Sequence, residues 1–143
     1  MKNLILLFSA LVTISSANAQ LKSSSENQKH KVVFQMNSNN PESQKALINN
    51  IQNIKKEWGA DVAIEVVAHG PGLELLMTKK SAVAEGVSQL IKNGVVFVAC
   101  ENTMTKKKIT IEDLIENVGT VPSGIGEIII KQEQAWSYIK GGL

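Results

Sequence analysis

Short apolar runs alternate along the chain with longer stretches in which apolar residues recur at helical spacing. The runs at 31–36, 61–68 and 95–100 are rich in valine and isoleucine, which is typical of β-strands. The last run, VVFVAC, is apolar throughout, and this indicates a strand buried on both faces. A short fourth strand is predicted over 118–121. Strands that alternate with helices predict a parallel sheet with helices on both faces.

The longest predicted helix has clear signals at both ends. Asn40 can cap it, Pro41 suits its first position, and Gly59 stops it directly after Trp58. Shorter helices are expected at 73–77, at 81–92 and, behind a capping box, at 111–117.

The last third of the chain contains one ambiguous segment. EIIIK at 127–131 has the composition of a strand, but apolar residues keep helical spacing from Ile125 to Ile139. Length favours a helix capped by Ser123. The sequence therefore predicts a three-layer α/β/α domain with a mostly parallel sheet of four to five strands, a flavodoxin-like arrangement.

The first residues have the pattern of a secretory signal peptide. Lys2 precedes an apolar run at 4–14, and small residues lead to Ala17-Asn18-Ala19. Cleavage is expected between Ala19 and Gln20, followed by a flexible leader at 20–30 and a folded domain at 31–143. The apolar run is shorter than the roughly 20 residues of a membrane span, so no membrane anchor is expected after cleavage. These features predict export to the periplasm or the extracellular medium, and the small size of the domain favours the periplasm.

Composition and charge exclude one class of function. The 15 basic residues are all lysines and are balanced by 13 acidic ones, for a net charge of +2. Nucleic-acid surfaces are far more basic and rely on arginine to contact phosphates, so a nucleic-acid partner is not expected.

Candidate chemistry gathers where the predicted strands end. Cys100 is the last residue of the third strand, and His69 follows the second. The carboxyl ends of parallel strands share one edge, where crevices form. If the first strand lay between the other two, these residues would be separated by roughly 10 Å, or two strand spacings.

Cys100 is the only cysteine of the sequence and has three interpretations, of which one is pairing with a cysteine of another chain. A helix starting directly after it would supply free N–H groups that favour the nucleophilic thiolate, and Lys106, Lys107 and Lys108 would add positive potential. Alternatively, Cys100 is a small buried apolar residue at a strand end. Two distant histidines and one cysteine do not form a metal site, and no cofactor is expected.

Neighbouring polar residues could bind a ligand at the same edge. His69 could orient a ligand or accept a proton, and Asn102 and Thr103 could donate hydrogen bonds to an anion. Gly70 would allow close approach of the backbone. For each of these residues a turn-forming, capping or backbone-bonding role is the alternative.

Several motifs together resemble the DsrE/DsrF-like family of sulfur-relay proteins. They are VVFVACENTM, IEDL, TVPSGIGEII, the segment from Gln134 to Tyr138, and AHGPGLELL at 68–76. The resemblance covers nearly the whole predicted domain, from the strand and helix that begin at Lys31.

The resemblance implies a DsrE-like α/β fold, a trimeric or hexameric assembly and, as in some relatives, a cysteine that carries persulfide sulfur between a donor and an acceptor protein. The leading hypothesis is an exported protein whose Cys100 binds or relays sulfur, a carrier or sulfurtransferase-like role. The alternatives are an oligomeric module that binds a small ligand or partner with an inert Cys100, and a flavodoxin-like binder of a nucleotide or flavin.

Overall fold

The computed structural model describes residues 29–142 and contains, within them, one parallel five-stranded sheet. The strands are β1 His30–Met36, β2 Val62–Ala68, β3 Val96–Cys100, β4 Gly119–Val121 and β5 Ser137–Lys140. Their order in the sheet is β4-β3-β2-β1-β5, and every neighbouring pair is parallel.

Four α-helices connect the strands: α1 Pro41–Trp58, α2 Ala84–Lys92, α3 Glu101–Lys107 and α4 Gly124–Glu133. Helix α1 begins and ends as predicted. Asn40 caps its start by accepting hydrogen bonds from the backbone N–H groups of Glu42 and Ser43, and Gly59 is the cap at its end. Short 3-10 segments occupy Gly59–Asp61, Gly70–Leu76 and Ile111–Asp113. The segment expected as a helix over 111–117 is therefore a single turn, although its capping box forms as predicted.

The core has two parts, one on each face of the sheet. Val32, Phe34 and Met36 of β1 belong to a large cluster that α1, α2 and α3 cover, whereas Val33 belongs to a smaller one. Successive side chains of a strand point to opposite faces, so the two clusters lie on opposite sides. The smaller cluster packs against Ile128 of α4. The predicted three-layer α/β/α class is confirmed.

The strand order differs from the one considered in the sequence analysis. β2, and not β1, lies at the centre, with β1 and β3 as its neighbours. Val67 pairs with Val98 and Ala68 with Ala99, so the ends of β2 and β3 lie side by side. His69 and Cys100 are therefore one strand spacing apart, about 4.8 Å, rather than two.

The predicted helix over the last third of the chain was wrong beyond Glu133. Helix α4 ends there because Ala135 adopts a left-handed backbone with φ 63°, and Trp136 N–H donates to Lys131 O at 3.0 Å. This is a Schellman end, normally formed by glycine, and alanine gives no such signal in the sequence. Residues 137–140 then add β5 to the free edge of β1.

Some predictions concern residues outside those described. The signal peptide, its cleavage site and most of the leader precede Lys29 and stay predictions. Across 29–142, no helix is long and apolar enough to cross a membrane.

Candidate functional site at the strand ends

The candidate site lies where β2 and β3 end, on the sheet face covered by α4. Cys100 follows Val98 by two residues and His69 follows Val67 by two, so all four residues share this face. The sequence-predicted residues His69, Gly70, Cys100 and Thr103 are thus brought to one place.

The helix considered directly after the third strand is present, and Cys100, which is 6% exposed, is its N-cap. Its sulfur faces hydrogen-bond donors from two helix N-termini: backbone N–H groups of Asn102 and Thr103 in α3, and that of Gly124 in α4. The Thr103 hydroxyl is a further donor.

The hydrogen-bond donors lower the pKa of Cys100 by more than burial raises it. Burial raises the pKa of the thiol, but the hydrogen bonds from Gly124, Thr103 and Asn102 lower it, and the net result is a pKa below the ordinary value. The thiolate is the reactive form of cysteine, so this setting favours nucleophilic chemistry.

Gly124 lets α4 approach Cys100 closely. A Cβ at this position would lie 3.1 Å from the Cβ of His69 and 3.3 Å from the Cβ of Cys100. Such contacts are tighter than a packed core normally accepts. The absence of a side chain thus allows the N–H of Gly124 to reach the sulfur.

Thr103 connects the loop after β2 with Cys100. Its Oγ1 accepts a hydrogen bond from Gly70 N–H at 3.0 Å, which leaves its own hydroxyl proton for the sulfur of Cys100. The amide of Gly70 is therefore occupied by Thr103. The backbone N–H of Asn102 is shared between the sulfur and the carbonyl oxygen of Pro122, which lies 3.4 Å away.

His69 is held by residues that the sequence analysis did not identify. Its Nε2 lies 2.8 Å from Nε2 of Gln35, and the Tyr138 hydroxyl donates to Oε1 of the same amide. Burial lowers the pKa of His69, so the neutral imidazole is favoured. Gln35 on β1 and Tyr138 on β5 join His69 only through the strand order, which no local motif reveals.

The three lysines that follow Cys100 lie at the far end of α3. Lys106 and Lys107 are in the last turn of α3, and Lys108 is its C-cap, all exposed. A seven-residue helix is about 10 Å long, so these charges lie far from the sulfur at the other end. Their exposure fits a solvated segment, and positive potential at Cys100 from these lysines stays a prediction.

Two open cavities of the described chain are not lined by Cys100. One of about 460 Å³ lies at the opposite end of β1, where the His30 ring stacks on Trp58. Another, of about 480 Å³, flanks α3 beside Glu101 and Met104. Residues 29–142 contain no group of three or more acidic, histidine or cysteine residues that could hold a metal ion.

This arrangement has a definite chemical capacity. Backbone N–H groups of Gly124, Thr103 and Asn102 and the Thr103 hydroxyl lower the pKa of Cys100, and a neutral histidine follows the neighbouring strand. A thiolate held in this way can attack an electrophilic sulfur atom, and the same donors can stabilise a bound anion.

Comparison with known proteins gives a consistent family and fold. The model of the DsrE/DsrF-like family matches residues 30–140. No protein with a curated description matches the chain significantly.

Solved structures share the fold. A protein of unknown function from Methanobacterium thermoautotrophicum, MTH1491, is 35% identical with a TM-score of 0.74, covering 78% of this chain and 99% of its own. The YchN protein of E. coli is 13% identical, with a TM-score of 0.63 and coverage of 79% and 98%. BT1422 of Bacteroides thetaiotaomicron, also of unknown function, is 15% identical, with a TM-score of 0.63 and coverage of 81% and 97%. The last two are similar in fold alone.

Proposed function

Because the chain belongs to the DsrE/DsrF-like family, we propose that it carries sulfane sulfur as a persulfide on Cys100 and relays it between partner molecules. The observation that carries this proposal is the set of donors around the Cys100 sulfur, from Asn102, Thr103 and Gly124. These donors stabilise the thiolate that attacks the donor sulfur, and after loading they lie one S–S bond, about 2.05 Å, from the outer sulfur that carries the charge of a persulfide anion.

The transfer step balances without an external oxidant. The Cys100 thiolate attacks the outer sulfur of a donor persulfide, R–S–SH, and its electron pair forms the new S–S bond. The donor S–S bond breaks, and its electron pair leaves with R–S⁻. Cys100 then carries –S–SH, and an acceptor thiolate removes the outer sulfur in the same way.

Intact mass spectrometry tests the proposal directly. The protein would be exposed to a small sulfane-sulfur donor, with Cys100→Ser as the matched variant and a reductant as a further control. We expect a one-sulfur increment that the reductant removes, on the wild type and not on Cys100→Ser. An increment that persists in Cys100→Ser would refute Cys100 as the carrier.

One observation favours the alternative function, a ligand- or partner-binding module with an inert cysteine. Cys100 is 6% exposed, as a structural cysteine would be. In that case the native thiol would alkylate as slowly as a core thiol, no sulfur increment would form, and Cys100→Ser would leave ligand binding unchanged.

The proposed setting is the periplasm, with dedicated donor and acceptor proteins and a trimer or hexamer of this chain as the working form. Export is checked by the mass of the protein recovered from the periplasm, which should begin at Gln20. Protein retained in the cytoplasm with residues 1–19 still attached would contradict it.

A further inference from the structure

A row of polar side chains crosses the sheet from its edge to Cys100. Tyr138 on β5, Gln35 on β1, His69 after β2 and Cys100 on β3 all lie on the α4 face, each on the strand next to the previous one. Hydrogen bonds join Tyr138 to Gln35 and Gln35 to His69. The carboxyl end of the sheet therefore contains a connected chain that ends at His69, one strand away from Cys100.

The direction of these hydrogen bonds determines where His69 carries its proton. The Tyr138 hydroxyl donates to Oε1 of Gln35, so the amide presents its NH₂ group to His69. An amide NH₂ only donates, and Nε2 of His69 must accept. A neutral imidazole that accepts at Nε2 has its proton on Nδ1.

Nδ1 of His69 has no hydrogen-bond partner among residues 29–142. It is the ring nitrogen nearer to Cβ, and the Cβ atoms of His69 and Cys100 both lie against Gly124. An N–H donor without a protein partner, next to a thiolate site, is suited to a bound anion. The same ring as a cation would need to donate at Nε2 and would lose the Gln35 bond.

We propose that Gln35 and Tyr138 are positioning residues that hold His69 as the Nδ1–H imidazole, so that this proton is donated to the anionic sulfur carried on Cys100. The second half of this inference rests on the proposed function, since it names the sulfur as the recipient. The first half concerns the free protein and can be measured without any sulfur donor.

Nitrogen-15 NMR of the imidazole rings tests the first half. The protein has two histidines, and His30, stacked on Trp58 at the far end of β1, serves as an internal reference. We expect the Nδ1–H form for His69 in the wild type, whereas free imidazoles favour Nε2–H. A wild-type His69 in the Nε2–H form would overturn the inference.

Two variants separate positioning from a general structural role. Gln35→Glu replaces the donor amide with an acceptor of the same shape, so His69 should move its proton to Nε2 or become a cation at neutral pH. Tyr138→Phe removes only the hydroxyl that orients the amide, on a side chain that is 41% exposed, and should give a mixture of the two tautomers. His30 signals should not change. An unchanged His69 tautomer in Gln35→Glu would overturn the inference.

A sulfur readout tests the second half. After loading with a sulfane donor, the Cys100 increment should decay about three- to tenfold faster in Gln35→Glu than in the wild type at a pH where NMR shows its His69 to be the neutral Nε2–H form, as expected for the loss of one hydrogen bond. Equal decay rates together with a switched tautomer would refute His69 as the donor to sulfur. If no protein loads sulfur, the proposed function fails, and the NMR result still decides the role of Gln35 and Tyr138.

Discussion

At the scale of single residues, Thr103 does two things for Cys100. Its backbone N–H and its hydroxyl both face the sulfur, and its Oγ1 is fixed by the N–H of Gly70. A hydroxyl that already accepts one hydrogen bond is a better donor for the next. Thr103 thus transmits the position of the loop after β2 to the reactive atom.

Replacing Thr103 with valine should slow the reaction of Cys100. The variant keeps the shape and the backbone N–H but loses the hydroxyl, so the pKa of Cys100 rises and less thiolate is present at neutral pH. We expect the iodoacetamide rate at neutral pH to fall about three- to tenfold, the effect of one hydrogen bond. The rate profile should move to higher pH, since the thiolate now forms later in the titration. Thr103→Ser, which keeps the hydroxyl, should behave like the wild type, and equal rates in all three proteins would contradict the assignment.

Gly124→Ala tests the close approach of α4. The added methyl would lie 3.1 Å from the Cβ of His69 and 3.3 Å from the Cβ of Cys100. We expect the start of α4 to move away, so that the backbone N–H of residue 124 no longer reaches the sulfur. The same alkylation assay should report a slower thiol with a higher pKa. Gly119→Ala is a matched control because its methyl would make an ordinary 3.5 Å contact with Val98. A variant at 124 as reactive as the one at 119 would show that the α4 N–H is not needed.

The sequence allowed part of this site to be predicted. Cys100, His69, Gly70, Asn102 and Thr103 follow predicted strands, and parallel strands bring their carboxyl ends to one edge. Gln35 and Tyr138 were missed for a physical reason. Each belongs to the site only through its register with a strand distant in sequence, and register is not encoded locally.

At the scale of elements, a buried ion pair attaches α4 to the sheet. Lys131 lies 2.6 Å from Glu65 of β2 and 3.5 Å from Glu127, and its ammonium is 4.5 Å from the centre of the Trp136 ring. Glu65 is 5% exposed, and its Oε1 has no hydrogen-bond partner among residues 29–142. Burial raises the pKa of Glu65, and Lys131 partly opposes this.

Removing the lysine should destabilise the fold considerably. Lys131→Met leaves a buried carboxylate without its counter-ion, for which a loss of about 3–5 kcal/mol in the free energy of unfolding is typical. Urea unfolding at neutral pH measures this loss. Lys45→Met is the matched control, since it breaks the exposed Lys45–Glu42 pair at 2.9 Å and should cost less than about 1 kcal/mol. Equal losses in the two variants would contradict a special role for the buried pair.

The loss in Lys131→Met should depend on pH in a definite direction. Without the lysine, the pKa of Glu65 in the folded state rises further above the 4.5 of an ordinary glutamate. A folded state that binds a proton more tightly than the unfolded one loses stability as pH rises. The difference from the wild type should therefore be greatest at neutral pH and shrink towards about pH 5, and a difference that grew on acidification would refute this account.

The elements themselves were predicted unequally well. Strong local signals mark three strands and one helix. Apolar runs rich in β-branched residues predict β1, β2 and β3, an Asn-Pro start predicts α1, and all four elements form. The prediction of one helix over the final segment was wrong because the apolar residues of β5 continue the helical spacing of those in α4. The break depends on Ala135 in a left-handed conformation, which costs energy for alanine and is enforced by the pairing of β5 with β1.

At the scale of the whole molecule, the two faces of the sheet are covered unequally. Of the described helices, α1, α2 and α3 contribute to the larger cluster, and α4 covers the face that carries Cys100 and His69. Helix α4 also keeps apolar side chains at the surface: Ile125 is 50% exposed, Ile129 51% and Ile130 47%. Ile125 and Ile129 are one turn apart on α4, and exposed apolar side chains at this spacing are a feature of contact surfaces.

The exposed isoleucines of α4 give the predicted trimer or hexamer a testable surface. Light scattering after size exclusion should show three or six chains for the wild type. Ile129→Glu would place a charge in a desolvated contact, and a penalty of about 2 kcal/mol or more at each contact would shift the assembly towards monomers. Ile111→Glu, at a residue that is 66% exposed and outside α4, should leave the assembly intact. A monomeric wild type would refute the assembly. Dissociation by Ile111→Glu and not by Ile129→Glu would show that the subunits make contact near Ile111 and not through α4. Because α4 also supplies the Gly124 N–H, dissociation in Ile129→Glu should be accompanied by a change in Cys100 alkylation if subunit contacts hold this helix against the site.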